Sequence, residues 1–247
     1  MTSPFTQGQK QFYAQRPHQH LRYAPNSVYA AHIVERLFAV AQLPSGSRVL
    51  EIGCGAGRFT LDVLQRFDGA LVASDLSETL LDRLRADVTT LPHALQQRIK
   101  LVAADVGALE SVFQEAAFDA VVGFFFLHHL EQLSKALRHL RRVLRPEGQM
   151  LFVEPNRRNP FFLLQVFCCP DMNWRHEKGM FTLGQARIRN AFQSADMSVP
   201  TINTFGCFPP QILDRWSWAL PLEKRVERLP ICRPLLPFRL IGSRRLR

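Results

Sequence analysis

The sequence has no apolar run of about 18 residues, which excludes an ordinary transmembrane helix. Its opening stretch, MTSPFTQGQKQFYAQRPHQH, has no apolar h-region, so no secretory signal is expected. Cysteine is scarce: Cys54, Cys168, Cys169, Cys207 and Cys232 show no C-x-x-C and no zinc spacing. Their odd number cannot close a complete disulfide framework within one chain, and a reducing cytoplasmic setting is the expectation. Neither an internal repeat of about 20–50 residues nor a low-complexity tract is present. Acidic residues are also in short supply, 21 Asp+Glu against 31 Lys+Arg, for a formal charge of +10 over 247 residues. That surplus points to an anionic partner without choosing among a charged cofactor, a nucleic acid and an acidic membrane surface.

What is present alternates. Residues 27–42 place Val28, Ala31, Ile33, Leu37 and Val40 near helical spacing, and Pro44-Ser-Gly46 breaks that helix. Short apolar segments follow at 48–52, 70–74, 99–104, 118–124 and 149–154, each read as a strand. Helical patterns separate them over 59–67, 77–88 (with Ser77 as N-cap) and 131–144, the last ended by a turn at Arg145-Pro-Glu-Gly148. Strands alternating with helices imply a mostly parallel α/β sheet, and strands apolar on both faces belong inside it. Beyond Pro155 the pattern loosens: helices are expected over 182–195 and 209–229, and strands over 199–205 and 236–242. The expected organisation is one domain over 1–247. Residues 1–45 form an arm and helix, 46–155 a cofactor-binding core, and 156–247 a substrate or lid region with the remaining strands.

The informative segment is VLEIGCGAGRFT, residues 49–60. Gly53, Gly55 and Gly57 lie between a strand and a helix, where glycine permits φ > 0 and close approach of a ligand to the backbone. The spacing is G-x-G-x-G, not the G-x-G-x-x-G of dinucleotide binders. Glu51, just before the turn, would repel a pyrophosphate and suits a ligand with a positive centre, an ammonium or a sulfonium. Asp75 ends the second strand, where a carboxylate can accept hydrogen bonds from both ribose hydroxyls. Asp105 follows the third, where it can accept from an adenine amino group, with Val106 beside it. The three acids fall at the carboxyl ends of successive strands, the ligand-binding edge of open α/β sheets.

These segments resemble the class I S-adenosylmethionine-dependent methyltransferases, and among them the small-molecule group that includes the ubiquinone and menaquinone biosynthetic enzymes. VLEIGCGAGRFT is similar to the family's first motif, ASDLS and AADV to its second and third, and FDAVVGFFFLHHL with LRRVLRPEGQMLFVEP to its fourth and fifth strands. The likeness covers roughly 49–155, and Arg145-Pro-Glu147-Gly148 stands where the family more often has Pro-Gly-Gly. It implies a Rossmann-like, seven-stranded sheet ending in an antiparallel strand, with S-adenosyl-L-methionine as cofactor and S-adenosyl-L-homocysteine as product. It places Gly53, Cys54, Gly55 and Gly57 along the methionine part of the cofactor, Asp75 and Leu76 on the ribose, and Asp105 and Val106 on the adenine. Phe124 would border the methyl group, with Glu51 orienting the ammonium. The implied reaction is methyl transfer to a small, apolar or lipid-like acceptor, at oxygen as the first expectation.

Other residues carry two readings. His128-His129 is a structural pair or supplies a catalytic base at His129; adjacent histidines do not both face one ligand, and no acidic cluster accompanies them for a metal. Tyr13, His18, His20 and Tyr23 form a wall of the acceptor pocket or a solvated arm. The run 161–169 lines an apolar pocket or is a core helix. Residues 222–247 carry eight Lys/Arg against Glu223 and Glu227, with Trp216 and Trp218 upstream, and read as an anionic-membrane contact or as a solvated basic surface. No recognised RNA-binding module appears, so nucleic acid is not an expected partner. An RNA or protein methyltransferase using the basic surface, and a non-catalytic cofactor-binding scaffold, are the competing functions. Oligomeric state is not read from the sequence.

Overall fold

Val49, Leu50 and Ile52 are buried on opposite faces of one short strand, which is what a central parallel strand requires. This strand is β1 (Ser47–Ile52), and the sheet grows outward from it. The computed structural model of the chain describes residue 24, residues 26–160 and residues 179–247. Tyr13, His18, His20 and Tyr23, and the run 161–169 with Cys168 and Cys169, therefore lie outside the described residues.

Helix α1 (Val28–Phe38) precedes β1. Then come α2 (Thr60–Arg66), β2 (Gly69–Asp75), α3 (Glu78–Val88), the short α4 (His93–Gln96), β3 (Ile99–Ala103) and β4 (Phe118–Phe124). Helix α5 (Leu133–Val143) and β5 (Leu144–Pro155) follow, and after the undescribed segment α6 (Gln185–Gln193), β6 (Thr201–Phe205), α7 (Pro210–Leu213), α8 (Ala219–Val226) and β7 (Phe238–Arg244). The sheet order is β3-β2-β1-β4-β5-β7-β6, and β7 alone runs against its neighbours. The expected seven-stranded Rossmann-like sheet is present; its antiparallel strand, β7, is the last in the chain but lies between β5 and the edge strand β6.

Two cores sandwich the sheet. On one face Leu50, Ile52, Val121, Met150 and Phe152 pack with Leu137 and Leu140 of α5 and Ile188 and Phe192 of α6. On the other, Val49, Leu71, Ala120, Val122 and Val153 pack with Ile33, Val34 and Leu37 of α1 and Val63 and Leu64 of α2. Helix α5 follows directly from its sequence: Leu133, Ala136, Leu137, Leu140 and Val143 recur every three or four residues and are buried, while Lys135, Arg138 and Arg142 face outward. Ser77 caps α3 as expected, its hydroxyl accepting the Leu80 N–H at 3.4 Å. Ser27 caps α1 in the same way, and Asp214, just after α7, accepts the Ser27 hydroxyl and the Tyr29 N–H, placing a negative charge at that helix N-terminus.

Three expectations are corrected. The helix over 209–229 is two short helices, because Pro221 has no N–H to donate to the turn before it and the chain breaks around 214–218. The turn at 145–148 lies within β5: Leu144 pairs with Phe118, Gln149 with Ala120, and residues 145–148 bulge between them, with Glu147 at φ 64°. The helix expected over 27–42 ends at Phe38, short of the exposed Val40; Val28 is exposed too, and the buried stripe includes Tyr29, Ala30, Ile33, Val34 and Leu37.

Candidate active site

Because β1 to β5 are parallel, their carboxyl ends share one edge, and Glu51, Asp75, Asp105, Phe124 and Glu154 meet there. The glycine turn leaves β1 with Gly53, Gly55 and Gly57 at φ 69°, 56° and 89°, a region an L side chain rarely adopts. The three glycines do different work. A Cβ on Gly53 would collide with the Phe126 ring, and one on Gly57 with Leu84. At Gly55 a Cβ would meet no atom of the described residues within 4 Å, so that backbone is open on their side. Between them, Cys54 is buried, and desolvation together with the Asp75 and Glu51 charges holds its thiol well above the ordinary value, which makes it a neutral packing group.

Asp75 ties the turn down. Its two oxygens accept the N–H groups of Gly55 and Ser77, each at 2.8 Å. Burial pushes this carboxyl up, and those backbone N–H bonds offset part of the rise. A carboxylate offers about four lone-pair positions, so hydroxyl donors can still be accepted. Asp105 accepts the Gly107 N–H at 2.8 Å and caps the 3₁₀ turn Val106–Ser111. Leu76, Asp105 and Val106 are half-buried beside it on the same edge.

Glu51 is the electrostatic oddity. It is 2 % exposed, and Oε2 has no hydrogen-bond partner among the described residues. Desolvation pushes its carboxyl up to about 8; the Asp75 charge adds to the rise and the Thr60 hydroxyl subtracts from it. A buried carboxylate with an orphaned oxygen, beside an open glycine backbone, fits a cationic ligand centre. The site thus accommodates the implied cofactor.

The far side of this edge is aromatic. Phe124 stacks on Phe59 with centroids 4.7 Å apart, Phe125 lies 5.8 Å from Phe59 and 5.6 Å from Phe238, and Tyr29 lies 6.0 Å from Phe238. The Arg58 guanidinium stands over Tyr29 at 4.9 Å and Phe59 at 5.4 Å. Burial pushes the Tyr29 phenol up to about 12, so it stays neutral near pH 7. Phe125 has φ 55°, a strained conformation for an aromatic residue, immediately after β4.

That strained connection is held by a residue the sequence reading passed over. Glu154, fully buried at the end of β5, accepts the N–H groups of Phe126 at 2.8 Å and Leu127 at 2.6 Å on one oxygen, and its other oxygen is 2.7 Å from His128 Nδ1. His128 is therefore the structural member of the pair, and His129 is half-buried beside it with ring centroids 4.0 Å apart. Arg239, in register with Glu154 across β5 and β7, donates to the carbonyls of Pro155 and Leu183. The signal for Glu154 was available: a carboxylate closing an otherwise apolar strand, as at Asp75. Tyr29, Arg58 and Arg239 had no such signal.

Residues 50–152 match the family model described as a methyltransferase domain. A hybrid PKS-NRPS synthetase of Penicillium oxalicum is 32% identical over 131 residues, which cover 52% of this chain and 3% of that protein. The malonyl-[acyl-carrier protein] O-methyltransferase of Halorhodospira halophila is 36% identical over 124 residues, covering 50% of this chain and 39% of the relative. The chain thus spans well under half the length of these curated relatives. Among solved structures, a SAM-dependent methyltransferase of Thermotoga maritima, titled a possible histamine N-methyltransferase, superposes with a TM-score of 0.65 at 13% identity, over 95% of this chain and 98% of that one. Residues 50–152 are thus similar to a methyltransferase domain, and the fold is one shared with solved SAM-dependent methyltransferases.

Proposed function

We propose that the chain transfers the methyl group of S-adenosyl-L-methionine to a small apolar acceptor, with an oxygen atom as the receiving site. The observation that carries the reading is the juxtaposition of the open Gly55 backbone, the Asp75 carboxylate that pins it and the orphaned Glu51 oxygen. Gly53, Cys54, Gly55 and Gly57 would lie along the methionine portion, with Glu51 toward its ammonium. Asp75 and Leu76 would hold the ribose, and Asp105 and Val106 the adenine. When bound, the cofactor supplies a methyl group already activated on a sulfonium. The protein then has to align the acceptor and exclude water, and alignment alone is worth up to about 7–11 kcal/mol in favourable cases. Phe124, Phe125, Phe59 and Phe238 supply the apolar wall for that purpose. His129 is the proposed base for a hydroxyl acceptor, held on the turn that Glu154 fixes. Relatives named for polyketide and acyl-carrier chemistry support an acyl-type acceptor.

The test uses isotopically labelled S-adenosylmethionine with a panel of fatty and polyketide-like acids, alcohols and thioesters, read by mass spectrometry. Label in a product is expected with the wild-type chain and lost in Asp75→Ala. Binding of S-adenosylhomocysteine without label transfer to any acceptor or extract component would favour a scaffold.

We also propose that the lid rests on an anionic lipid surface. No described helix is long and apolar enough to cross a membrane. Trp216, Trp218 and Leu229 are about half exposed and Ile231 is 85% exposed, with Arg215, Lys224, Arg225, Arg228 and Arg233 interleaved. Vesicles containing anionic lipid should retain the wild-type chain at low salt and release the Trp216→Ser, Trp218→Ser, Ile231→Ser triple variant. Equal retention of the two would remove this segment from the role.

A further inference from the structure

Helix α1 and the lid meet in a buried polar cluster that the methyl-transfer reading does not use. His32 and Glu223 are 3% and 0% exposed, the Glu227 side chain is 8% exposed, and one ligating atom from each lies within 4.8 Å of the others. His32 Nε2 is 3.0 Å from Glu223 Oε1 and 4.0 Å from Glu227 Oε1. The shorter approach is not aligned as a hydrogen bond, and among the described residues His32 Nε2, His32 Nδ1 and Glu223 Oε1 have no hydrogen-bond partner. At 3.0 Å the two atoms form an ion pair when the imidazole is protonated; with a neutral imidazole, a shared cation is what satisfies both.

The remaining carboxylate positions are already engaged. Glu223 Oε2 accepts the N–H groups of Cys207 and Phe208 at 2.7 and 2.8 Å, and Glu227 Oε1 accepts that of Gly206 at 2.8 Å. Glu227 Oε2 faces Arg36 at 3.1 Å. These contacts orient the carboxylates as outer-shell partners orient metal ligands. Donors bound to one zinc at 2.0–2.2 Å and at the tetrahedral angle stand about 3.3–3.6 Å apart, a range bracketed by the two distances from His32.

We propose that His32, Glu223 and Glu227 bind a zinc ion that staples α1 to the C-terminal lid. Three protein ligands of nitrogen and oxygen leave the fourth position to water. The staple lies behind the aromatic wall: His32 packs edge-on to Phe205 at 6.4 Å, and Phe205 packs on Phe238 at 5.6 Å. It acts through the architecture and is independent of the cofactor.

The test takes the full chain without a polyhistidine tag, strips it with a chelator, and titrates it with zinc chloride. One zinc per chain should survive desalting, with a higher Tm and slower amide exchange at residues 206–208. S-adenosylhomocysteine affinity of His32→Ala shows whether that variant is folded; when folded, it should lose zinc retention and the Tm rise. Should it not fold, cobalt(II) added to the stripped wild-type chain decides: the intense visible bands of a four-coordinate N/O site support the staple, and the weak spectrum of the aqueous ion overturns it. Zinc retention by the wild type no greater than by folded His32→Ala overturns it too, as does a His32 imidazole protonated at neutral pH and unmoved by equimolar zinc in NMR.

Discussion

Glu154 Oε2 stands 2.7 Å from His128 Nδ1 while Oε1 takes two backbone N–H groups, so one buried carboxylate fixes the whole turn after β4. Arg239 lies beside it, buried, its pKa lowered by burial and supported by the Glu154 charge. Removing the carboxylate orphans all of these groups at once. Glu154→Ala should cost about 3–5 kcal/mol in denaturant unfolding, the range for breaking one side of a buried ionic contact. His128→Ala should cost less, because Phe126 and Leu127 keep their acceptor. A Glu154→Ala midpoint close to wild type would remove Glu154 from this role.

Asp75 has two tasks, and substitutions separate them. Asp75→Ala removes the acceptor of the Gly55 and Ser77 N–H groups as well as any ribose contact. The S-adenosylhomocysteine affinity should fall by about 1–3 kcal/mol per lost charge-assisted contact. Asp75→Asn keeps one carbonyl acceptor but sets its amide NH2 against the other backbone N–H, so it should lose less stability than Asp75→Ala while still losing affinity. Calorimetric titration of both variants checks this; equal, undiminished affinity would take Asp75 out of the site.

Glu51 gives the pH dependence. Its carboxyl, ordinarily near 4.5, sits at about 8, so in the ligand-free protein it is mostly protonated at pH 7. A cationic ligand centre favours the ionised form, so binding expels a proton below pH 8. Cofactor affinity should rise with pH by up to tenfold per unit there and flatten above it. Stability runs the other way. The folded state holds this proton more tightly than the unfolded chain, so the Glu51 contribution falls as pH rises from 4.5 and is lowest above 8. Glu51→Gln should abolish both slopes, measured by calorimetry and by thermal melts between pH 6 and pH 9.

Glu147 occupies a left-handed position, φ 64°, in the β5 bulge. Its ion pair with Arg247 is exposed on both sides and contributes little. Replacing it by glycine relieves a penalty of about 1–2 kcal/mol. Glu147→Gly should therefore raise the Tm and leave cofactor binding unchanged. A lower Tm would show that the ion pair outweighs the strain.

That position also shows where the sequence was and was not legible. The strands, their order and the three acids at their ends were readable because apolar β segments and their polar terminators repeat with a fixed period. At 145–148 the local signal was a turn, and pairing with β4 on either side drew those residues into a bulged strand. On α1 the apolar spacing marked the helix, but which stripe is buried depends on what it meets, and Tyr29 meets Phe59 and Phe238. Glu154 closes an apolar strand as Asp75 does. Its partners lie 26 to 28 residues away, beyond the reach of any local pattern.

The Phe126 ring fills the space a side chain at Gly53 would take, and the Phe126 N–H hangs on Glu154. The glycine turn after β1 and the turn that carries His129 are thus pressed against one another with no slack between them. A displacement of either by a fraction of an ångström is therefore felt by the other.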